Sequence, residues 1–171
     1  MTASTLESLS PADAPSLADS QYCTFWVAGL FFGVSVAAVQ EVLRYQELTA
    51  VPTGPEAVHG LINLRGQIVT ALDLRCRLGL PPREEGVLPM NVIVRSRGEV
   101  VSLLVDDIGD VITVDTRTGG LTLEAAPANV PSVVRDVVTG VLALPDSILL
   151  VLDADRAADV PAVPETTGGT A

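Results

Sequence analysis

Gly60-Leu61-Ile62-Asn63-Leu64-Arg65-Gly66-Gln67-Ile68-Val69-Thr70-Ala71-Leu72-Asp73 returns later in the chain, ungapped, as Gly140-Val141-Leu142-Ala143-Leu144-Pro145-Asp146-Ser147-Ile148-Leu149-Leu150-Val151-Leu152-Asp153. In both copies a glycine opens an apolar run and a polar turn interrupts it. A second apolar run then ends in Leu-Asp, with Arg75 or Arg156 just beyond. That is the pattern of strand, hairpin, strand and helix start, so one design is used twice. The copies part at the turn, where Asn63-Leu64-Arg65-Gly66 is replaced by Ala143-Leu144-Pro145-Asp146. Folding accounts for what the copies share, and function is sought in what they do not.

Upstream of the first copy, residues 21–27 and 30–34 are β-rich runs around Ala28-Gly29, which predicts a hairpin. Ser35 is placed to cap a short helix, because Val36, Val39, Val42 and Leu43 fall at helical spacing and leave Gln40, Glu41 and Arg44 on the other side. Asp73 is the predicted N-cap of a second short helix over 74–78, stopped by Gly79 and Pro81-Pro82. A further hairpin is expected around Arg97-Gly98, then a strand over 108–114, and Asp153 begins a last helix. The connection 115–136 carries turn residues. Residues 1–20 and 159–171, rich in Ser, Ala, Pro, Thr and Gly, are expected to be flexible. About ten short strands with regular turns argue for a mainly β fold of small barrels, not a doubly wound sheet.

The formal charge is −11 and all ten basic residues are arginine. Scattered arginines outnumbered by carboxylates argue against nucleic acid as a partner, and the acidic balance disfavours an anionic membrane. Five of the carboxylates, Glu7, Asp13, Asp19, Asp159 and Glu165, lie towards the ends, and the remainder of the chain is still acidic. No apolar run approaches the ~18 residues that span a bilayer, so membrane insertion is not expected and a cytoplasmic location is. Cys23 and Cys76 lack paired or CxxC spacing and read as reduced thiols.

Catalysis finds little support. His59 is the only histidine, there is no lysine for a Schiff base or a P-loop, and no phosphate-cradling glycine motif stands at a strand-to-helix turn. No catalytic residue, metal ligand or cofactor is assigned. Asp106-Asp107 with Asp110 lacks the remaining ligands of a calcium loop and reads as a solvated strand turn. The turn of the first copy carries more information. Gly66 permits positive φ, Asn63 can bond the turn backbone, and Arg65 is held outward at the tip. On residue types alone this is also a well-made hairpin with a solvent-facing arginine.

The run from Val58 to Arg75, with Gly60-x-x-Asn63-Leu64-Arg65-Gly66 followed by Asp73-Leu74-Arg75, resembles the signature of the CheW family of bacterial chemotaxis coupling proteins. The likeness continues through Phe32-Gly33-Val34, Val39-Gln40-Glu41-Val42, the run from Val100 to Asp106, and Thr139-Gly140, so it spans about 21–158. It implies two intertwined five-stranded SH3-like β-barrels with a few short helices. Barrel one covers about 21–74 and barrel two about 75–152, with strand exchange between them, and the short C-terminal helix spans 153–158. It implies a non-catalytic adaptor joining the cytoplasmic tip of chemoreceptors to the regulatory, CheW-like domain of a CheA-type histidine kinase. Other CheW-like domains in array rings are implied as further partners.

By position in the motif, Arg65 and Glu41 become candidate receptor contacts, and Val39, Val42, Ile108 and Val111 would line or approach a groove between the barrels. Gly60, Asn63, Gly66 and Asp73 are the motif and turn positions. The main kinase surface is expected on the second barrel, with no residue named. One departure is Thr70, where the family often carries Pro; threonine restores a backbone donor and suits a strand. Two rivals remain open at this point. One is a CheW-like scaffold in a non-flagellar pathway of surface motility, development or second-messenger control. The other is a small β-barrel enzyme using Cys76 or the aspartates.

Overall fold

The computed structural model describes residues 21–50, 56–114 and 123–159. Its strands are β1 (Gln21–Val27), β2 (Leu30–Ser35), β3 (Val39–Leu43), β4 (Val58–Leu64), β5 (Gln67–Asp73), β6 (Met90–Ser96), β7 (Glu99–Val105), β8 (Asp107–Thr113), β9 (Val138–Ala143) and β10 (Ile148–Leu152). Short helices α1 (Leu74–Arg77), α2 (Ser132–Val137) and α3 (Ala154–Ala158) accompany them. The strands form two five-stranded sheets, sheet 1 in the order β8-β1-β2-β10-β9 and sheet 2 in the order β3-β6-β7-β5-β4.

The repeat is visible in how these sheets are assembled. Each sheet is built on a hairpin from one half of the chain, β1–β2 or β6–β7, and is completed by three strands from the other half. The joints are parallel and equivalent: β10 runs beside β2, with Leu150 opposite Phe32, and β5 runs beside β7, with Thr70 opposite Val101. The two barrels therefore interlock. The exchange is wider than a boundary near residue 75 implies, since β1 and β2 belong with β8, β9 and β10. The edge strands obey the same symmetry. Val42 opposite Val92 in sheet 2 repeats as Val111 opposite Cys23 in sheet 1, and Val39 opposite Val94 repeats as Ile108 opposite Phe25.

Three hairpins close through positive-φ pairs: Ala28-Gly29, Arg65-Gly66 and Arg97-Gly98, each with a non-glycine residue near 50° and a glycine above 80°. That is the type I′ geometry whose twist matches the strands it joins. Asp73 and Asp153 cap their helices as expected, accepting from the backbone N–H of Arg75 and of Asp155 and Arg156 respectively.

The helix expected after Ser35 is corrected. Only a 3₁₀ turn, Val36–Ala38, forms, capped by Ser35, and the chain continues as β3. Valine-rich sequence is stiff at χ1 and favours strand, and the open edge of β6 offers a backbone ladder that an isolated helical turn does not. Alternation replaces helical spacing, so Glu41 lies with Val39 among the half-buried positions while Gln40 and Val42 are exposed. The 115–136 connection contains α2, which its turn-rich composition did not signal. Its residues 115–122 lie outside the described residues, as do 1–20 and 160–171.

Continuous apolar runs such as Leu149 to Leu152 have a direct cause. Leu150 and Leu152 enter the core shared by both sheets and the helices, while Leu149 and Val151 enter a second cluster with Val114 and Leu142. In sheet 2, Val92 and Val94 face the shared core and Ile93 faces a cluster with Ile62, Val69 and Leu104. Strands covered on both faces read as unbroken hydrophobic stretches.

The repeat glycines are packing residues. A Cβ on Gly60 would lie 2.7 Å from the Thr49 carbonyl oxygen, and one on Gly140 would lie 2.7 Å from that of Glu124. At both sites a crossing segment makes a two-way backbone bridge, Thr49 with Leu61 and Glu124 with Val141. Gly60→Ala and Gly140→Ala are each expected to lower unfolding free energy by about 1–3 kcal/mol, the range of overpacking. Urea midpoints equal to wild type would show that the crossing segments give way freely.

Candidate functional site

The tip of the β4–β5 hairpin is built as its residues demand. Asn63 Oδ1 accepts the Gly66 N–H at 2.8 Å, and Arg65 and Gly66 take the two positive-φ positions. This turn holds Arg65 over the edge strand β3. Its Nη1 and Nη2 donate to Glu41 Oε2 and Oε1, both at 2.7 Å, in a bidentate pair. Because β3 and β4 are opposite ends of sheet 2, the pair bridges the two edges across the curl of the barrel. The arginine side chain is 69% exposed and the glutamate 20%. The Arg65 hydrogen bond is the main reason the Glu41 carboxyl is held below its ordinary value, and the same bond raises the guanidinium.

The two candidate contacts, 24 positions apart in sequence, thus form one unit. It has no copy in sheet 1, where Pro145 replaces Arg65 in the repeat and β8 carries Asp110 at the place Glu41 holds in β3. The four apolar candidates fall into two symmetry-related pairs. Val39 and Ile108 are half-buried and pack on the shared core, whereas Val42 and Val111 are exposed on the edge strands β3 and β8, Val111 by 57%. The charged pair shares its strand with Val39 and Val42, and β8 repeats that apolar pattern on the other sheet.

Asp106 is not the solvated turn that its acidic neighbours suggested. Its carboxylate accepts from Arg75 Nη2 at 2.6 Å and Nε at 2.9 Å, from Arg83 Nε at 3.0 Å, and from the Ala28 backbone N–H at 2.7 Å. Arg83 also reaches Asp73, at 3.4 Å, and Arg75 Nη1 donates to the Pro81 and Pro82 carbonyls. Burial pushes the Asp106 carboxyl up, but the hydrogen bonds from Arg75, Ala28 and Arg83 more than offset it, and the net shift is downward. A folded-state value below the unfolded one contributes stability above about pH 4 that is lost as pH falls through the folded value. Urea midpoints should accordingly drop on acidification below about pH 4, and Asp106→Asn should flatten that part of the profile. An unchanged slope would remove Asp106 from the acid response. The sequence signals for this cluster were the Asp73-Leu74-Arg75 run and the run from Val100 to Asp106; nothing marked Arg83.

Both thiols are free. Burial raises Cys23, and burial with nearby Glu56 and Asp73 raises Cys76, the opposite of what a thiolate nucleophile requires. His59 Nδ1 lies 3.9 Å from a carboxylate oxygen of Asp73. Among the described residues no group of three His, Cys, Asp or Glu side chains could hold a metal ion, and no helix is long and apolar enough to cross a membrane. On sheet 1, Trp26 and Phe31 pack with ring centroids 4.4 Å apart beside a cavity of about 300 Å³ lined also by Leu30, Val130 and Ile148. Trp26 and Ile148 are exposed there.

Two interlocked five-stranded barrels that present a self-paired charged turn and apolar edge strands define a protein-docking scaffold. Residues 21–161 match the CheW-like domain family, and the chain belongs to it. It is 31% identical to the chemotaxis protein CheW of Bacillus subtilis over 135 residues, 79% of this chain and 84% of that protein. It is 30% identical to the chemotaxis protein CheW of Rhizobium meliloti over 131 residues, 77% of this chain and 82% of the relative. The crystal structure of the scaffolding protein TtCheW from Thermoanaerobacter tengcongensis superposes with a TM-score of 0.71 at 25% identity, covering 83% of this chain and 94% of that one. The protein is a non-catalytic adaptor of chemotaxis signalling.

Proposed function

We propose that this chain couples the cytoplasmic tip of chemoreceptors to the regulatory, CheW-like domain of a CheA-type histidine kinase. It works in the cytoplasm, recruited to membrane-associated receptor arrays where other CheW-like domains are its neighbours. The observation that carries this reading is the Arg65–Glu41 pair, held on the turn where the internal copies differ and seated on the strand that also carries Val39 and Val42. Arg65, Glu41, Val39, Val42, Ile108 and Val111 form the receptor surface in this reading. A helical hairpin presents apolar anchors with polar flanks, which suits apolar edges ringed by charge.

The surface of exposed Trp26 and Ile148 with half-buried Phe31 on sheet 1 supports a separate seat for the kinase domain. Aromatic and aliphatic anchors at an interface centre carry most of its binding energy. Titrating the purified chain against a receptor tip fragment and against the kinase regulatory domain tests both halves. Saturable binding to each is expected. Ile148→Arg should weaken the kinase arm by about ten-fold or more and leave the receptor arm unchanged. Binding to neither partner by properly folded protein would contradict the proposal.

A further inference from the structure

The chain crosses from sheet 2 to sheet 1 between β7 and β8, and Asp106 stands at that crossing, two residues before Ile108. Four segments converge on it. Arg75 comes from α1, which follows β5 of sheet 2, and Arg83 from the loop joining the halves. Ala28 comes from the β1–β2 turn of sheet 1, and Trp26 of β1 accepts the Asp106 N–H at 2.9 Å. Arg75 and Arg83 are largely buried, with side chains 17% and 9% exposed. The symmetry-related crossing, from β2 to β3, is made by Ser35 and the 3₁₀ turn, where the Ser35 side chain accepts the Ala37 N–H. The two crossings are therefore built differently, although the strands that follow them, β8 and β3, carry equivalent apolar positions.

We propose that Asp106 is a positioning residue for partner docking: gripped by Arg75, Arg83 and the Ala28 amide, it fixes the start of β8 and thereby the placement of Ile108 and Val111. The second anchor of β8 lies just beyond, where Thr24 Oγ1 donates to the Asp110 carbonyl and Gly109 leaves room for that hydroxyl. Between these anchors β8 is an edge strand bonded to β1 alone, so its register depends on how it is launched. An anionic clasp suits this task because two arginine forks meeting one carboxylate set direction as well as distance. Asp106 touches no partner in this scheme and acts through β8. The docking part of the inference rests on the receptor surface proposed above.

The test compares Asp106→Asn and Arg83→Gln with wild type and with Leu149→Val, a sheet 1 core variant serving as a destabilised control. Two quantities are read: amide hydrogen exchange in Asp107–Thr113 against that in β6–β7, and affinity for the receptor tip fragment. Both clasp variants are expected to speed exchange of the hydrogen-bonded β8 amides by about ten-fold or more, with β6–β7 unchanged. They should also weaken docking by about five-fold or more, while Leu149→Val stays within about two-fold of wild type. Wild-type protection of β8 in both clasp variants, or an equal loss of docking in Leu149→Val, would overturn the proposal. If wild type itself does not bind the receptor tip, the receptor surface is wrong, and β8 exchange alone decides the clasp.

Discussion

Arg65→Glu is expected to weaken receptor-tip docking by about thirty-fold or more, with thermal stability almost unchanged. In the free protein the Arg65–Glu41 pair is exposed and screened, and surface pairs of this kind contribute little to folding. In a complex the same guanidinium is covered by a partner, and its loss is compounded by a carboxylate facing Glu41. Asn63 and Gly66 continue to shape the turn, because neither the Asn63 side-chain bond nor the glycine φ depends on the residue at position 65. Exchanging the charges, Glu41→Arg with Arg65→Glu, restores a pair while inverting what the partner meets, so docking should stay weak. Titration calorimetry and thermal melts on the two variants check this. Docking equal to wild type would remove Arg65 from the interface, and a fall in melting temperature of many degrees would make it structural.

The largest effect on stability is expected from Phe32→Ala. Phe32 has no exposed surface, stacks on Phe25 with ring centroids 5.8 Å apart, and lies opposite Leu150 at the parallel joint of β2 and β10. Truncation opens a cavity where strands from the two halves of the chain meet in the shared core, which costs about 3–5 kcal/mol. For a domain of this size that lowers the melting temperature by roughly 10 °C or more. Ile68→Ala, on the β4–β5 hairpin and 62% exposed, serves as the contrast and should change stability by less than about 0.5 kcal/mol. Equal losses in the two variants would mean that the shared core does not dominate stability.

Most of the strands were legible because turn chemistry and β-branched runs are local signals. Ala28-Gly29, Arg65-Gly66 and Arg97-Gly98 mark hairpins that the structure contains, and the repeated Gly-to-Asp run marks the β4–β5–α1 and β9–β10–α3 units. What failed was decided at long range. Val36, Val39, Val42 and Leu43 do fall at helical spacing, but β6 supplies a ladder partner that no local window contains. The strand exchange was legible only as a consequence of family resemblance, since nothing local says that β8 will leave β7 for β1.

The site divided along the same line. Arg65 and Glu41 were separately identified from motif positions, yet their bidentate pairing follows from the curl of sheet 2 and could not be read from residue types. Asp106 was misjudged because a run of carboxylates looks solvated until its arginines, one from α1 and one from a loop, are placed beside it. The symmetry of Val39 with Ile108 and Val42 with Val111 likewise required the strand registers.

The central claim is coupling, and a reconstituted assay tests it most directly. Receptor-bearing membranes and the histidine kinase are combined with and without this chain, and kinase autophosphorylation is followed before and after attractant. The account predicts kinase activity that rises only when the chain is present, falls on adding attractant, and is lost with Arg65→Glu. The same activity and the same attractant response in its absence would contradict it.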